Sequence, residues 1–323
     1  MVVAQFEVST SRPNVRWNVP TVLVGLGTAG VVWLGAVRLG SHGEMGSSLA
    51  AGRTELVGPA LIAVVLALII CERFWPAEPR PLLAKGHVHD AAFFLVYASL
   101  VVPLMTLMGV GFAALLGSHA AWIEAPWTAA WPRWLLVVVT LVAMDFCNWL
   151  AHWADHRLVP LWRLHAVHHT QEEVSVLTSF RAHPLVHVTG FMLATIPAVA
   201  LTGFHPLAPV LITVYLCLGT LTHANVPWDF GPLGKVIVSP VYHRQHHALE
   251  CPRGANLGVV LTVWDVMARR AVFPADASAP VRTGLSNRPL RVEQMGGEGT
   301  VSLLLHQLVE PFGSGPSSTG STL

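Results

Sequence analysis

Charge is scarce in this chain. Asp, Glu, Lys and Arg make up 11% of its 323 residues, against about 25% in an ordinary soluble domain. Lysine is nearly absent, with two against 17 arginines, and the net charge is +1. No basic face is available to hold a nucleic acid. Cysteine is equally thin: Cys71, Cys147, Cys217 and Cys251 are scattered and form no CxxC, which excludes a disulfide framework and a zinc knuckle. The opening MVVAQFEVSTSRPNVRWNVP does not read as a signal peptide, because its apolar run begins after residue 19 and is long enough to span a bilayer. No internal repeat accompanies these absences.

What is present is hydrocarbon. Apolar residues make up 53% of the chain, with 12 tryptophans, the composition of a membrane-embedded protein. Four stretches approach the roughly 20 residues that a bilayer helix needs: 19–39, 55–71, 91–116 and 133–153. A fifth apolar stretch, 188–222, is broken at Gly203 and Pro206 and reads as a helical hairpin that re-enters on the side it left. The expected fold is therefore an all-α integral membrane protein, with about four transmembrane helices, a re-entrant hairpin and a histidine-rich helical cap. Five Lys or Arg residues fall in segments 1–18 and 72–90, and three (Arg38, Arg53, Arg133) in the opposite loops. That bias places the cap on the cytoplasmic side, together with Arg157, Arg163, Arg181, Lys235 and Arg244. From about residue 274 the chain turns rich in Pro, Gly and Ser, and the short amphipathic VSLLLHQLVEPF precedes a tail, GSGPSSTGSTL, that reads as disordered. We divide it into membrane helices (1–132), a catalytic domain (133–273) and a C-terminal extension (274–323).

Residues 152 to 247 hold 12 of the 17 histidines. HWADH sets His152 and His156 at i, i+4; LHAVHHT gives His165, His168 and His169 at i, i+3, i+4; YHRQHH repeats that spacing with His243, His246 and His247. On a helix such spacings bring the rings to one face, a turn apart. Clustered imidazoles beside lipid are costly unless bonded to something, and a solvated face would mix Lys, Glu and Ser instead. The isolated His42, His87, His89, His119, His205 and His306 read as interfacial or hydrogen-bonded. Eight clustered rings exceed what one ion can use, so two metals are the natural count. Imidazole suits Zn, Cu, Fe and Ni alike; a site beside lipid, with no evident hydrolysable substrate, tilts the choice toward iron and O2 chemistry. Asp145, seven residues before His152 on the same helix face, is placed to orient that ring, whereas Asp155 points elsewhere. A metal transporter or store is the alternative, but it would need ionisable residues along the spans, and Asp90 and Asp145 lie near helix ends.

The segments DFCNWLAHWADH, LWRLHAVHHTQEEVSVLTSFRAHP, HANVPWDFGPLG, VSPVYHRQHH and ANLGVVLTVWD, spanning about 140 to 270, resemble the fatty acid hydroxylase (sterol desaturase) superfamily of integral-membrane di-iron enzymes. The resemblance implies a four-helix anchor under a cytosolic histidine-rich site, in the inner membrane if the chain is bacterial. It implies two irons that activate O2 to hydroxylate or desaturate a lipid, using electrons from a separate ferredoxin or cytochrome b5-type donor. It carries ligand roles to His152, His156, His165, His168, His169, His243, His246 and His247, adds His223 from THAN and His183 from RAHP, and matches Asn225 and Asp265 to polar motif positions. His187 has no counterpart and stays open. Two departures stand out: Trp153 replaces the usual arginine after the first histidine, and WDVMARR lacks the usual Phe-Gly-Thr continuation. Neither removes a ligand; both touch the expected mouth of the site.

Overall fold

The computed structural model describes residues 57–81, 86–105, 107–108, 128, 130–198, 208–252, 254–274, 276, 279–285 and 299–312. Within them the chain is helical, with two isolated antiparallel bridges, Ile237 to Leu261 and Ala248 to Thr283, and no strand. The expected span at 19–39, the break at Gly203 and Pro206 and the tail after 312 lie outside the described residues.

The elements run α1 (Val57–Phe74), α2 (His87–Val96), a π turn (Tyr97–Val101), α3 (Arg133–Arg157), α4 (Val159–His169), a 3-10 turn (Val176–Phe180), α5 (Pro184–Gly190), a second π turn (Phe191–Thr195), α6 (Ala208–Thr222), a 3-10 turn (Gly231–Lys235), α7 (Pro240–His246), α8 (Val263–Met267) and α9 (Gly299–Val309). Among the described residues, two helices are long and apolar enough to cross a membrane, His87–Met105 and Trp134–Arg157. Along α3, Trp134, Val138, Val142, Phe146 and Leu150 are all exposed. Their spacing of four makes one apolar stripe up the helix, a face suited to lipid. The 25 residues of α3 reach about 38 Å at 1.5 Å per residue, beyond a hydrocarbon layer of about 30 Å. Its last turns, with His152 and His156, can therefore stand clear of the apolar layer.

Among the described residues, three small cores knit the helices together. Leu61 and Val65 of α1 meet Tyr97, Val101 and Phe180; Leu68 meets Val176, Ala224 and Val226; Met144 of α3 meets Ala198 and Tyr215 of α6. The break between α3 and α4 is local: Leu158 is extended (φ −96, ψ 121) and Pro160 opens the next helix, where a proline fits without losing a bond. The two helices fold back against each other, which sets HWADH against HAVHH.

Candidate metal centre

Four segments deliver the rings. α3 carries His152 and His156, α4 carries His165, His168 and His169, His223 follows the end of α6, and α7 supplies His243, His246 and, just past its end, His247. They fall into two groups. His152, His156, His165, His169 and His246 form one; His168, His223, His243 and His247 form the other; within each, the donor atoms lie within 4.8 Å of one another. His169 and His247 stack at 4.6 Å between centroids and join the groups.

The hydrogen bonds decide which nitrogen faces inward. His168 Nδ1 lies 3.1 Å from the Arg181 carbonyl and His223 Nδ1 3.1 Å from that of Gly219. His152 Nδ1 lies 2.9 Å from the Leu257 carbonyl and His246 Nδ1 2.8 Å from that of Ala255. A carbonyl only accepts, so each of these Nδ1 atoms carries the hydrogen, and each Nε2 presents a lone pair. Yet the Nε2 atoms of His168 and His223 stand 3.1 Å apart, and His243 Nε2 is 3.1 Å from that of His223. In neutral rings the first of these contacts sets lone pair against lone pair, with no hydrogen between. Buried Nε2 atoms of His152, His156, His246 and His247 have no hydrogen-bond partner either. A cation between the rings resolves both features, and imidazoles held by N–H to backbone carbonyls are the usual form of metal-bound histidine. The residues fit a metal in each group.

Electrostatics agree. Burial, then repulsion from neighbouring rings, holds the pKa of His165, His168, His169, His243, His246 and His247 well below 6.5, and burial lowers His223 to about 4. The rings are neutral near pH 7, the form that binds metal.

The structure brings together nine of the ten histidines expected as ligands, and His183 is not among them. His183 caps α5: its Nδ1 accepts from the Leu185 N–H at 3.2 Å, and its Nε2 donates to the Leu308 carbonyl at 3.1 Å. Both nitrogens are thus engaged away from the cradle. His187 also lies elsewhere, its ring 4.8 Å from that of Tyr97.

Asp145 does not reach His152. It accepts from the N–H groups of Val260 and Leu261 at 2.9 and 3.0 Å and from Trp264 Nε1 at 2.8 Å. Asp265 accepts from Leu257 N–H at 3.0 Å, Gly258 N–H at 2.8 Å and Trp149 Nε1 at 2.9 Å. Together the two carboxylates clamp the 257–265 segment to α3, and Asp265 directly holds the residue whose carbonyl anchors His152. Asn225 likewise ties a segment instead of a ring, exchanging hydrogen bonds with the backbone of Glu78 at 3.1 and 2.8 Å. Asp155, expected to point away, sits with Oδ2 3.8 Å from His165 Nδ1.

Sequence reasoning missed one assembly altogether. Arg181 is fully buried, as is Asp90, and the two pair at 2.7 Å; Gln171 Nε2 and Thr178 Oγ1 donate to the same carboxylate. Arg181 Nε reaches the Thr170 hydroxyl at 3.2 Å, at the end of α4, while its carbonyl holds His168. Gln307 of α9 reaches the same hydroxyl at 3.2 Å and accepts from His89 at 2.7 Å. Arg181 and Arg244 are interior groups; Arg244 donates to the carbonyls of Ala224 and Val226, each at 3.2 Å. A carboxylate placed immediately before the apolar stretch 91–116 was the available signal for Asp90.

Comparison with known proteins gives the same reading. Residues 137–269 match the model of the fatty acid hydroxylase family. The chain is 32% identical over 217 residues to the ornithine lipid hydroxylase OlsE of Rhizobium tropici, covering 63% of each chain. It is 27% identical over 155 residues to the alkylglycerol monooxygenase of Danio rerio, covering 45% of this chain and 31% of that one. Against the alkylglycerol monooxygenase of Caenorhabditis elegans it is 30% identical over 149 residues, covering 45% and 28%. The chain thus spans 63% of the first relative and about a third of the others. No solved structure matches it. The matched segment encloses every one of the nine clustered rings, so the histidine-bearing part of this chain is similar to the fatty acid hydroxylase family, and the relatives it resembles are by name lipid hydroxylases and monooxygenases.

Proposed function

We propose that this chain is a membrane-bound, O2-dependent hydroxylase of a lipid C–H bond, and that its nine histidines hold two iron ions. The observation that carries the reading is the set of four imidazoles whose Nδ1–H groups are fixed on backbone carbonyls, leaving Nε2 lone pairs turned on one another. His152, His156, His165, His169 and His246 would hold one ion, and His168, His223, His243 and His247 the other. When bound, the irons would supply O2 reduction, placing one oxygen atom in the substrate and releasing the other as water, with two electrons from a separate ferredoxin or cytochrome b5-type protein and two protons from solvent.

The chain's own residues position and exclude. The carbonyls of residues 181, 219, 255 and 257 fix ring orientation; Asp145 and Asp265 keep the last of these segments against α3; the α3 stripe faces lipid and delivers substrate laterally, to a site we place on the cytoplasmic side. The relatives' names specify ornithine lipid and alkylglycerol. The class shared by these, a lipid with a long hydrocarbon chain, is the one we carry to this protein.

The test is ¹⁸O2 labelling in membranes expressing the protein or its His168→Ala variant. One ¹⁸O atom in a lipid alcohol, present with the parent and absent with the variant, is expected. An unlabelled alcohol, or equal yields from the two proteins, overturns the reading.

A further inference from the structure

Two segments outside the metal cradle lie side by side and leave their apolar side chains uncovered. Thr262 donates its N–H to the Val236 carbonyl at 2.9 Å and its hydroxyl to that of Lys235 at 2.6 Å, and an antiparallel bridge joins Ile237 to Leu261. These bonds set GPLGKVI (231–237) beside α8. From the pair, Leu233, Val236, Ile237, Val263, Val266 and Met267 stand exposed. A face turned to water would not gather such side chains together. The patch also continues a face already described. Trp264 of α8 packs against Phe146 at 5.0 Å between centroids, and Phe146 belongs to the exposed apolar stripe of α3. Phe146 stands six residues before His152, about 9 Å along the helix. The patch therefore meets α3 where the apolar stripe gives way to the histidine boxes.

Two cations edge this patch. Lys235, one of the chain's two lysines, is exposed, with its Nζ 4.0 Å from the centre of the Phe273 ring. Arg269 is exposed as well and ends α8 in the left-handed region, at φ 58. Its N–H reaches the Val266 carbonyl at 3.1 Å, and the Arg270 N–H reaches that of Asp265 at 2.7 Å. This pair of bonds closes a helix on a left-handed residue, a place that glycine fills most readily because it has no Cβ. WDVMARR puts an arginine there instead, and strain of this kind persists where the side chain itself matters. Asp265 is buried among its N–H donors, and the exposed Asp229 turns back on the Gly231 N–H at 3.0 Å. An apolar centre with cations at its edge is the composition of a surface resting at a bilayer interface, with hydrocarbon below and phosphate alongside. An acidic electron-donor protein would also be drawn to the cations, but the continuity with the α3 stripe favours the bilayer.

We propose that GPLGKVI and α8 form a docking surface for anionic phospholipid, with the apolar side chains in the outer acyl region and Lys235 and Arg269 on the headgroup phosphates. The proposal rests on the membrane-bound part of the hydroxylase reading and is independent of its metals. Full-length protein is placed in nanodiscs of mixed phosphatidylcholine and phosphatidylglycerol. In parallel samples one or the other lipid carries a diazirine beside its headgroup, and a third sample carries it within an acyl chain. After photolysis, labelled peptides are mapped by mass spectrometry. Headgroup label is expected at 233–237 and 263–269, heavier from phosphatidylglycerol than from phosphatidylcholine. A cation at an anionic surface contributes about fivefold, so Arg269→Gly and Lys235→Gln should each lower that preference by about this factor. Arg269→Gly should unfold no earlier than the parent, because glycine suits the left-handed turn; the lost preference is then not a lost fold. Equal label from the two lipids, or a preference that neither substitution lowers, overturns the proposal. So does a surface that lipid leaves unlabelled but that carbodiimide cross-links to an added acidic ferredoxin. Acyl label on the α3 stripe with none on this surface counts against the proposal alone; absence of label from both counts against the membrane-bound reading too.

Discussion

Asp90→Ala probes the buried pair beneath the cradle. Arg181 and Asp90 have no exposed side-chain surface and meet at 2.7 Å. Removing the carboxylate strands a buried guanidinium, and breaking such a pair costs about 3–5 kcal/mol, a large share of the roughly 5–15 kcal/mol by which proteins are stable. Gln171 and Thr178 lose their acceptor in the same event, and that loss is part of the same figure. Asp90→Asn combined with Arg181→Met removes both charges and leaves an acceptor for Gln171 and Thr178, so most of the loss should return. The local effect should remain: without the guanidinium at Thr170, the backbone carrying the His168 acceptor is less firmly held, and such supports alter metal affinity by about 10–100-fold. SDS-titration unfolding in mixed micelles, followed by tryptophan fluorescence and paired with iron analysis, separates the two effects. A single variant that unfolds with the parent, or a rescued double variant that binds metal with parental affinity, refutes the reasoning.

His183→Ala should leave the metal content of the parent unchanged, because both ring nitrogens serve α5 and Leu308; elemental analysis that finds less metal than in the parent would return His183 to the ligand set. The metal-free protein should lose stability on acidification. Its buried rings have native pKa values below the unfolded 6.5, with His223 at about 4 and rings such as His168 also held well below 6.5, so the unfolded chain gains protons that the fold refuses. Stability is then complete above pH 6.5 and falls below it, by about 1.4 kcal/mol per ring per pH unit; thermal unfolding of chelated protein that is unchanged between pH 7 and pH 5 contradicts this. Gly234→Ala should cost more than 1 kcal/mol through its collision with the Asp229 carbonyl, and parental thermal stability of this variant would show that the turn relaxes freely.

How much of this was legible varied with the kind of signal. His152, His156, His165, His168, His169, His243, His246 and His247 were readable because helical spacing alone sets their faces, and the structure brings those eight together with His223. His183 was carried over from a motif position, and a motif does not show that an N-cap and a carbonyl 125 residues away already occupy its nitrogens. Asp145 was assigned to His152 because both lie on one helix; its partners come from 70 to 119 residues later, beyond any local periodicity. The apolar spans were readable from composition, and α1, α2 and α3 fall within or overlap the expected stretches. α3 runs on to Arg157, four residues beyond the expected end, because helical hydrogen bonding does not stop where hydropathy falls.

The acceptors behind His152, His168, His223 and His246 are all main-chain oxygens. Every residue type carries one, so no substitution at positions 181, 219, 255 or 257 can delete the acceptor itself. Only a change that moves the backbone can do so. The centre is therefore insulated from point changes at the atoms that orient it, and its vulnerability is displaced to Asp90, Asp265 and the small residue at 219, which keep those oxygens in place. Screens for lost activity should find sensitive positions at such remote holders as readily as at the histidines.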